Sequence, residues 1–220
     1  MKKYLVIGDP IEHSLSPKLH NYWIRKKKIS AVYDKQKINE SDIKSLVSDI
    51  KNEKIKGINV TLPFKKAVIP FMDELTLEAG ESQSVNTIYL QNGKVIGHNT
   101  DISGFELGIK YSKYDVKNKI VFILGAGGVV PSIIIALKKM EASKIIISNR
   151  TKAKAENLKK KFNELEIINW GETPNFDMIV NATSIGLKNE DGIKLDYASV
   201  SPNKFFYDVI YNPKETIFLK

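Results

Sequence analysis

The chain has 220 residues, of which 42% are apolar and 27% charged, the balance of an ordinary globular protein, which argues against disorder. Its formal charge of +9 invites a nucleic-acid partner, but the lysines are scattered apart from short runs at Arg25–Lys28 and Lys159–Lys161, and a surplus of this kind suits small anions equally well; neither a nucleic acid nor a membrane is expected as a partner. The absence of cysteine excludes disulfides, thiolate metal sites and a thiol nucleophile.

At the N-terminus, MKKYLVIGDP places two lysines before a five-residue apolar run, too short for a signal-peptide core, so the expected location is the cytoplasm. The strand-like YLVIG is followed by a helix expected over Pro17–Lys28, a strand AVYDKQKI and a polar helix from about Ser41 to Lys51. Then come a strand KGINVTL and a short helix from Lys65. Next, VNTIYLQNGKVIGHNTD holds two apolar runs about an Asn-Gly pair, a hairpin signal. A helix from Ile102 to about Lys113 leads into IVFILGAGGVVPSIIIAL, eighteen residues without a charge. That length touches the threshold for a membrane span, yet its central GAGG and the proline beyond divide it into a strand, a glycine turn and a helix. The strands KIIISN, FDMIVNA and FFYDVIY continue the alternation, with helices beginning near Gly128 and Thr151. Alternation of this kind predicts an α/β fold of two units, 1–101 and 102–220, with parallel strands joined by right-handed crossovers.

In GAGGVV, Gly125, Ala126, Gly127 and Gly128 stand between a strand and a helix, where a dinucleotide fingerprint requires them. Glycines there let the backbone approach a pyrophosphate, which the helix N-terminus attracts through its N–H groups and dipole. At the end of the next strand, where an acidic residue would select NAD, the chain has Asn149, Arg150 and Thr151, with Lys154 a turn later. Positive charge at that place suits a 2′-phosphate, so NADP is the expected cofactor. Val130 occupies the third small position of the fingerprint, which predicts weaker or shifted cofactor packing; Pro131 in the first helical turn is compatible with the pattern.

In the first unit, Asn59, Thr61 and Lys65 lie on or beside a buried strand, and each polar tip there needs a partner. Taken with their neighbours they carry a resemblance. The ordered set GDPIEHSLSPKLHN, GINVTLPFKK, SVNTI, GHNTDISG, ILGAGG, SNRT, NATSIG and YDVIYNP resembles shikimate dehydrogenase over nearly the whole chain. The resemblance implies an N-terminal α/β substrate domain followed by a Rossmann-type NADP-binding domain, and reduction of 3-dehydroshikimate to shikimate with NADPH. It also implies a catalytic pair, Lys65 and Asp101, with Ser14 and Ser16 on the substrate carboxylate and Asn59, Thr61 and Asn86 on its hydroxyls. By the same resemblance Tyr211 lies near the substrate, while Asn181, Thr183 and Ser184 end a strand on the cofactor side. Elementary chemistry agrees about the pair: an ammonium beside a carbonyl oxygen stabilises the charge that grows during hydride addition and delivers a proton. Taken singly, Ser14 or Ser16 reads as a helix cap ahead of Pro17. His13, His20 and His98 show no ligand spacing, and no metal is expected.

Two departures from the family pattern stand out. Gln83 and Ser84 replace a small Gly-Ala pair before VNT. The family also continues beyond DVIYNP with a substrate-contacting glutamine and helices that return to the first domain, so an incomplete, poorly stable form is expected. The alternatives are a quinate/shikimate dehydrogenase with relaxed cofactor use, or a module that holds NADP or ligand without turnover.

Overall fold

The structure, a computed structural model, describes residues 1–188, 192–196 and 200–220, and the chain divides into two compact units, Met1–Asp101 and Ile102–Lys220. In the first unit, strands β1 (Lys2–Gly8), β2 (Ala31–Lys37) and β3 (Gly57–Val60) run parallel. They are joined through α1 (Ser16–Lys26) and α2 (Ile43–Lys51). After β4 (Glu74–Leu75) and α3 (Leu77–Ser82), β5 (Thr87–Gln91) and β6 (Lys94–His98) complete a six-stranded sheet of order β2-β1-β3-β5-β6-β4. Strand β5 is antiparallel to both β3 and β6.

Helix α2 shows why the segment folds this way. Ile43, Leu46, Val47 and Ile50 fall on one stripe at helical spacing and are buried against Leu5, Ile7, Ile58 and Val60. Each aliphatic side chain removed from water in this way contributes about 1.5–3 kcal/mol. Helix α1 buries no residue completely, and Leu15, Leu19, Tyr22 and Trp23 stay half-exposed along it. The β5–β6 turn has positive φ at both Asn92 and Gly93, the signature of the I′ hairpin that the Asn-Gly pair predicts.

One expected element is replaced. The segment from Lys65 forms turns and a single 3-10 turn, Ile69–Phe71, in place of a helix. Pro70 has no N–H to give to an i−4 carbonyl, and the bonds Phe71 N→Val68 O and Met72 N→Ile69 O close shorter loops. Strand β4 and helix α3 were not foreseen; the six-residue α3 is capped by Thr76, whose Oγ1 accepts from Ala79 N.

The second unit contains α4 (Asp101–Tyr111), which starts at the boundary residue, then β7 (Ile120–Leu124), α5 (Val130–Lys139), β8 (Lys144–Ser148) and α6 (Lys152–Lys159). They are followed by β9 (Glu166–Ile168), β10 (Met178–Asn181) and β11 (Phe205–Asp208). Its sheet is parallel throughout, in the order β11-β10-β7-β8-β9. The central strand β7 serves two cores by alternation. Val121 and Ile123 pack with Ile133, Ile134 and Leu137 of α5, while Phe122 and Leu124 pack with Ile146, Ile179 and Phe218 on the other side. The order reverses between β7 and β10, so the carboxyl ends of these strands form the switch point at which such sheets bind ligands. Among the described residues, no helix is long and apolar enough to cross a membrane.

Gln83 ends α3 in the left-handed region, φ 53°, a conformation that glycine adopts without penalty. Gln83→Gly should therefore stabilise the first unit by about 1 kcal/mol, even though it removes the bond from Gln83 Nε2 to Gly80 O. A higher midpoint in urea unfolding checks this; an unchanged or lower midpoint contradicts it.

Candidate functional site

The chemistry of the first unit gathers where β3 ends, β5 begins and β6 ends. Strand pairing sets Asn59 opposite Thr87, and Thr87 opposite His98. Just beyond the paired residues, Asn86 is clamped by its main chain: its carbonyl accepts from Val60 N at 2.8 Å and its N–H donates to His98 O at 3.0 Å. The Lys65 carbonyl accepts from Val85 N at 2.8 Å, which ties the loop after β3 to the same edge.

Lys65 Nζ donates to Asp101 Oδ2 at 2.6 Å. The two side chains are only 13% and 19% exposed, so the pair is largely shielded from water. Asp101 is the first residue of α4, where the helix dipole favours a carboxylate. Its N–H donates to Asn99 Oδ1 at 2.9 Å, and Asn99, fully buried, donates in turn to Ser82 Oγ and to Ser84 O. The departure at Gln83 and Ser84 is accommodated locally. Ser84 sits buried, offering its carbonyl to the residue that supports Asp101, while Gln83 points to solvent.

Asn86 Nδ2 donates to Asp101 Oδ1 at 2.8 Å and to Thr100 Oγ1 at 2.9 Å, while its Oδ1 accepts from Thr100 N and from Thr87 Oγ1, both at 3.0 Å. Asn59 Nδ2 donates to Thr87 Oγ1 at 3.1 Å and to Asn86 O at 3.3 Å, and Asn59 Oδ1 accepts from Tyr33 Oη at 2.6 Å. Lys65, Asp101, Asn86 and Asn59 are therefore brought into one continuous network. Thr87, Thr100 and Tyr33 belong to it and were not singled out in the sequence. Of these, Thr87 and Thr100 adjoin the motif residues Asn86 and Asp101, whereas nothing local marks Tyr33.

Ser14, Ser16 and Thr61 lie at the neighbouring end of β1. Ser14 Oγ accepts from Ser16 N at 3.3 Å, a bond across the start of α1, and Ser16 acts on the Tyr33 phenol by a side-chain hydrogen bond. Thr61 N donates to Ile7 O at 2.9 Å. A Cβ on Gly8 would come within 2.5 Å of the Thr61 methyl, so the glycine gives Thr61 its place.

In the second unit, the glycine turn leaves β7 and enters α5. Gly125 has φ 110°, and a Cβ on it would meet the Ala182 carbonyl at 2.7 Å. A Cβ on Gly127 would face open space, its nearest protein neighbour at 4.0 Å, and no side chain caps α5. This is a cradle in which backbone can approach a ligand closely. Val130 is completely buried within the α5 core, and Pro131 stands in the first turn. Asn149, Arg150, Thr151 and Lys154 follow β8, the last three exposed, with Asn149 Nδ2 donating to Thr151 O at 2.8 Å. Among the described residues, no carboxylate forms an ion pair with Arg150 or Lys154.

At the end of β10, Asn181 Oδ1 accepts from Thr183 N and Thr183 Oγ1, while its Nδ2 donates to Asp208 and to Ile185 O. Asp208 also accepts from Thr216 Oγ1 and Ile210 N. Asn181 is thus an internal brace of its loop, and Thr183 and the exposed Ser184 are what that loop presents. Tyr211 is 67% exposed in the second unit.

Comparison with known proteins agrees with this division. The family model described as "Shikimate dehydrogenase substrate binding domain" matches residues 6–88, and the one described as "Shikimate / quinate 5-dehydrogenase" matches residues 108–188. The shikimate dehydrogenase (NADP(+)) of Pelagibacter ubique is 63% identical over 219 residues, covering 100% of this chain and 83% of that protein. The crystal structure of shikimate dehydrogenase from Aquifex aeolicus is similar with a TM-score of 0.91 at 42% identity, covering 100% of this chain and 82% of that one. The shikimate 5-dehydrogenase of Thermus thermophilus, solved in complex with NADP(H) and shikimate, is similar with a TM-score of 0.87 at 27% identity, covering 97% of this chain and 80% of that one.

The two glycines of the turn should respond differently to a methyl group. Gly125→Ala forces both a backbone clash and an unfavourable φ and should destabilise by more than ~1 kcal/mol, whereas Gly127→Ala should stay within about 0.5 kcal/mol of the parent. Parallel chemical denaturation measures both; equal losses would contradict the geometry.

Proposed function

The chain belongs to the shikimate dehydrogenase family, and we propose that it interconverts 3-dehydroshikimate and shikimate with NADP, the first unit holding the substrate and the second the dinucleotide. The observation that carries this is the shielded Lys65–Asp101 pair, joined through Asn86 to a row of side chains suited to a polyhydroxylated ligand. When bound, the dinucleotide supplies the hydride for reduction and accepts it in the reverse direction.

The remaining work falls to residues of this chain. Lys65 stabilises negative charge on the substrate oxygen and delivers a proton to it, and the two oxygens of Asp101, one on Lys65 and one on Asn86, hold the ammonium in position. Ser14 and Ser16 supply hydroxyl donors for the carboxylate, and Asn59, Thr61 and Asn86 meet the hydroxyls. Gly125, Ala126, Gly127 and Gly128 receive the pyrophosphate, Thr183 lies along the dinucleotide, and Asn149, Arg150, Thr151 and Lys154 read its adenosine end. The exposed guanidinium of Arg150, with no carboxylate ion-paired to it among the described residues, supports a 2′-phosphate as its partner.

The direct test follows NADPH consumption when the purified chain is mixed with 3-dehydroshikimate. Consumption supports the assignment, and its absence at every substrate concentration contradicts it. Lys65→Ala should lower kcat by roughly 10²–10⁴-fold with a much smaller change in KM for the substrate; retained turnover would remove Lys65 from this role. Arg150→Asp should raise KM for NADPH by about 10–100-fold while sparing NADH. Equal losses with both cofactors would show that Arg150 does not read the phosphate.

A further inference from the structure

The hydrogen bonds of the first unit form a row that reaches well beyond the ion pair, as far as Tyr33. Tyr33 lies in β2, across β1 from Asn59, with its ring buried among Val6 and Ile11 and only 5% of the residue exposed. Its backbone is clamped on the outer side by Asn21 of α1, which accepts from Tyr33 N at 3.0 Å and donates to Tyr33 O at 2.6 Å. The His20 ring stacks on the phenol with centroids 4.2 Å apart and planes 5° from parallel, and Trp23 meets His20 edge-on. Held on these sides, the hydroxyl donates to Asn59 Oδ1 at 2.6 Å and also meets the Ser16 side chain by a hydrogen bond. Burial pushes the phenol well above its ordinary pKa, so the group remains a proton donor at any working pH.

A fixed donor at this end agrees with the directions of the rest. With Oδ1 of Asn59 turned to Tyr33, its Nδ2 must face Asn86 O and Thr87 Oγ1. Thr87, accepting from Asn59, has its own proton left for Asn86 Oδ1. Asn86, whose Oδ1 is also held by the Thr100 N–H, turns Nδ2 towards Asp101 Oδ1, the carboxylate that holds Lys65. An asparagine amide is nearly symmetric in shape, and its orientation at residue 59 is selected from both sides, by the Tyr33 hydroxyl on Oδ1 and by the acceptor-only carbonyl of Asn86 on Nδ2. We propose that Tyr33 is a positioning residue: by donating to Asn59 Oδ1 at the outer end of the row, it holds the Asn59 amide in place for the hydroxyls of the ligand, in the orientation that the Asn86 carbonyl also requires.

This role rests on the assignment of shikimate as the ligand, and its test separates the two. Shikimate oxidation with NADP+ is measured for the parent chain, Tyr33→Phe, Asn59→Ala and the double variant, together with a thermal melt of each. Tyr33→Phe should raise KM for shikimate roughly tenfold, the usual effect of losing one hydrogen bond in a buried site, with a smaller change in kcat and none in KM for NADP+. In the Asn59→Ala background, the same change should add nothing, because Tyr33 acts through Asn59. A purely structural tyrosine would instead lower the melting temperature and the active fraction, reducing kcat in both backgrounds with KM unmoved. That pattern, or independent KM effects that add in the double variant, overturns the role of Tyr33 and leaves the ligand assignment standing. A parent chain that neither binds nor oxidises shikimate overturns the ligand assignment and the role of Tyr33 with it.

Discussion

The register of β3 against β5, and of β5 against β6, is the constraint on which the candidate site depends. Asn59, Thr87 and His98 stand in one row because β5 runs antiparallel between two strands, which brings its beginning beside their ends. Side chains alternate with a period of two, so a slip of one residue would turn Thr87 away from Asn59 and break the row. That register is held by apolar neighbours: Ile58 and Ile88 face each other in the same ladder and are buried with Val60 and Val95. The hydrophobic core thus places polar groups to within hydrogen-bonding tolerance without touching a ligand.

The network also shows how a lysine and a carboxylate tolerate removal from water. Transfer of two charges into a shielded site is unfavourable unless their geometry is good and their remaining hydrogen-bonding capacity is met. Asp101 meets that condition with Lys65 on one oxygen, Asn86 on the other and a helix N-terminus behind it. Asn99 adds support from below, and its buried amide is in turn held by Ser82 and Ser84. The ammonium is oriented by a structure several residues deep, so its position does not depend on a flexible four-carbon stem alone.

Much of this was legible along the chain wherever the signal was local. The Asn92–Gly93 turn, the division of IVFILGAGGVVPSIIIAL into β7, the glycine turn and α5, and the α2 stripe each follow from a few adjacent residues. The segment after Lys65 was misread because its composition suits a helix while Pro70 withholds the N–H that an α-turn needs. Tyr33 was invisible for a different reason. Its significance arises only when β1 places β2 and β3 on either side of itself, and no spacing in sequence reports that arrangement.

The contact between Gly8 and Thr61 has a consequence for how such a chain varies over time. The two positions are far apart in sequence, yet the space that a Cβ at residue 8 would occupy is already taken by the Thr61 methyl. A larger residue at position 8 is therefore strained while Thr61 is present, whereas shrinking residue 61 alone creates no clash. Exchange at position 61 would not by itself open position 8, because the Leu62 carbonyl still stands 3.0 Å from that Cβ; of the two positions, the glycine is the one that cannot drift.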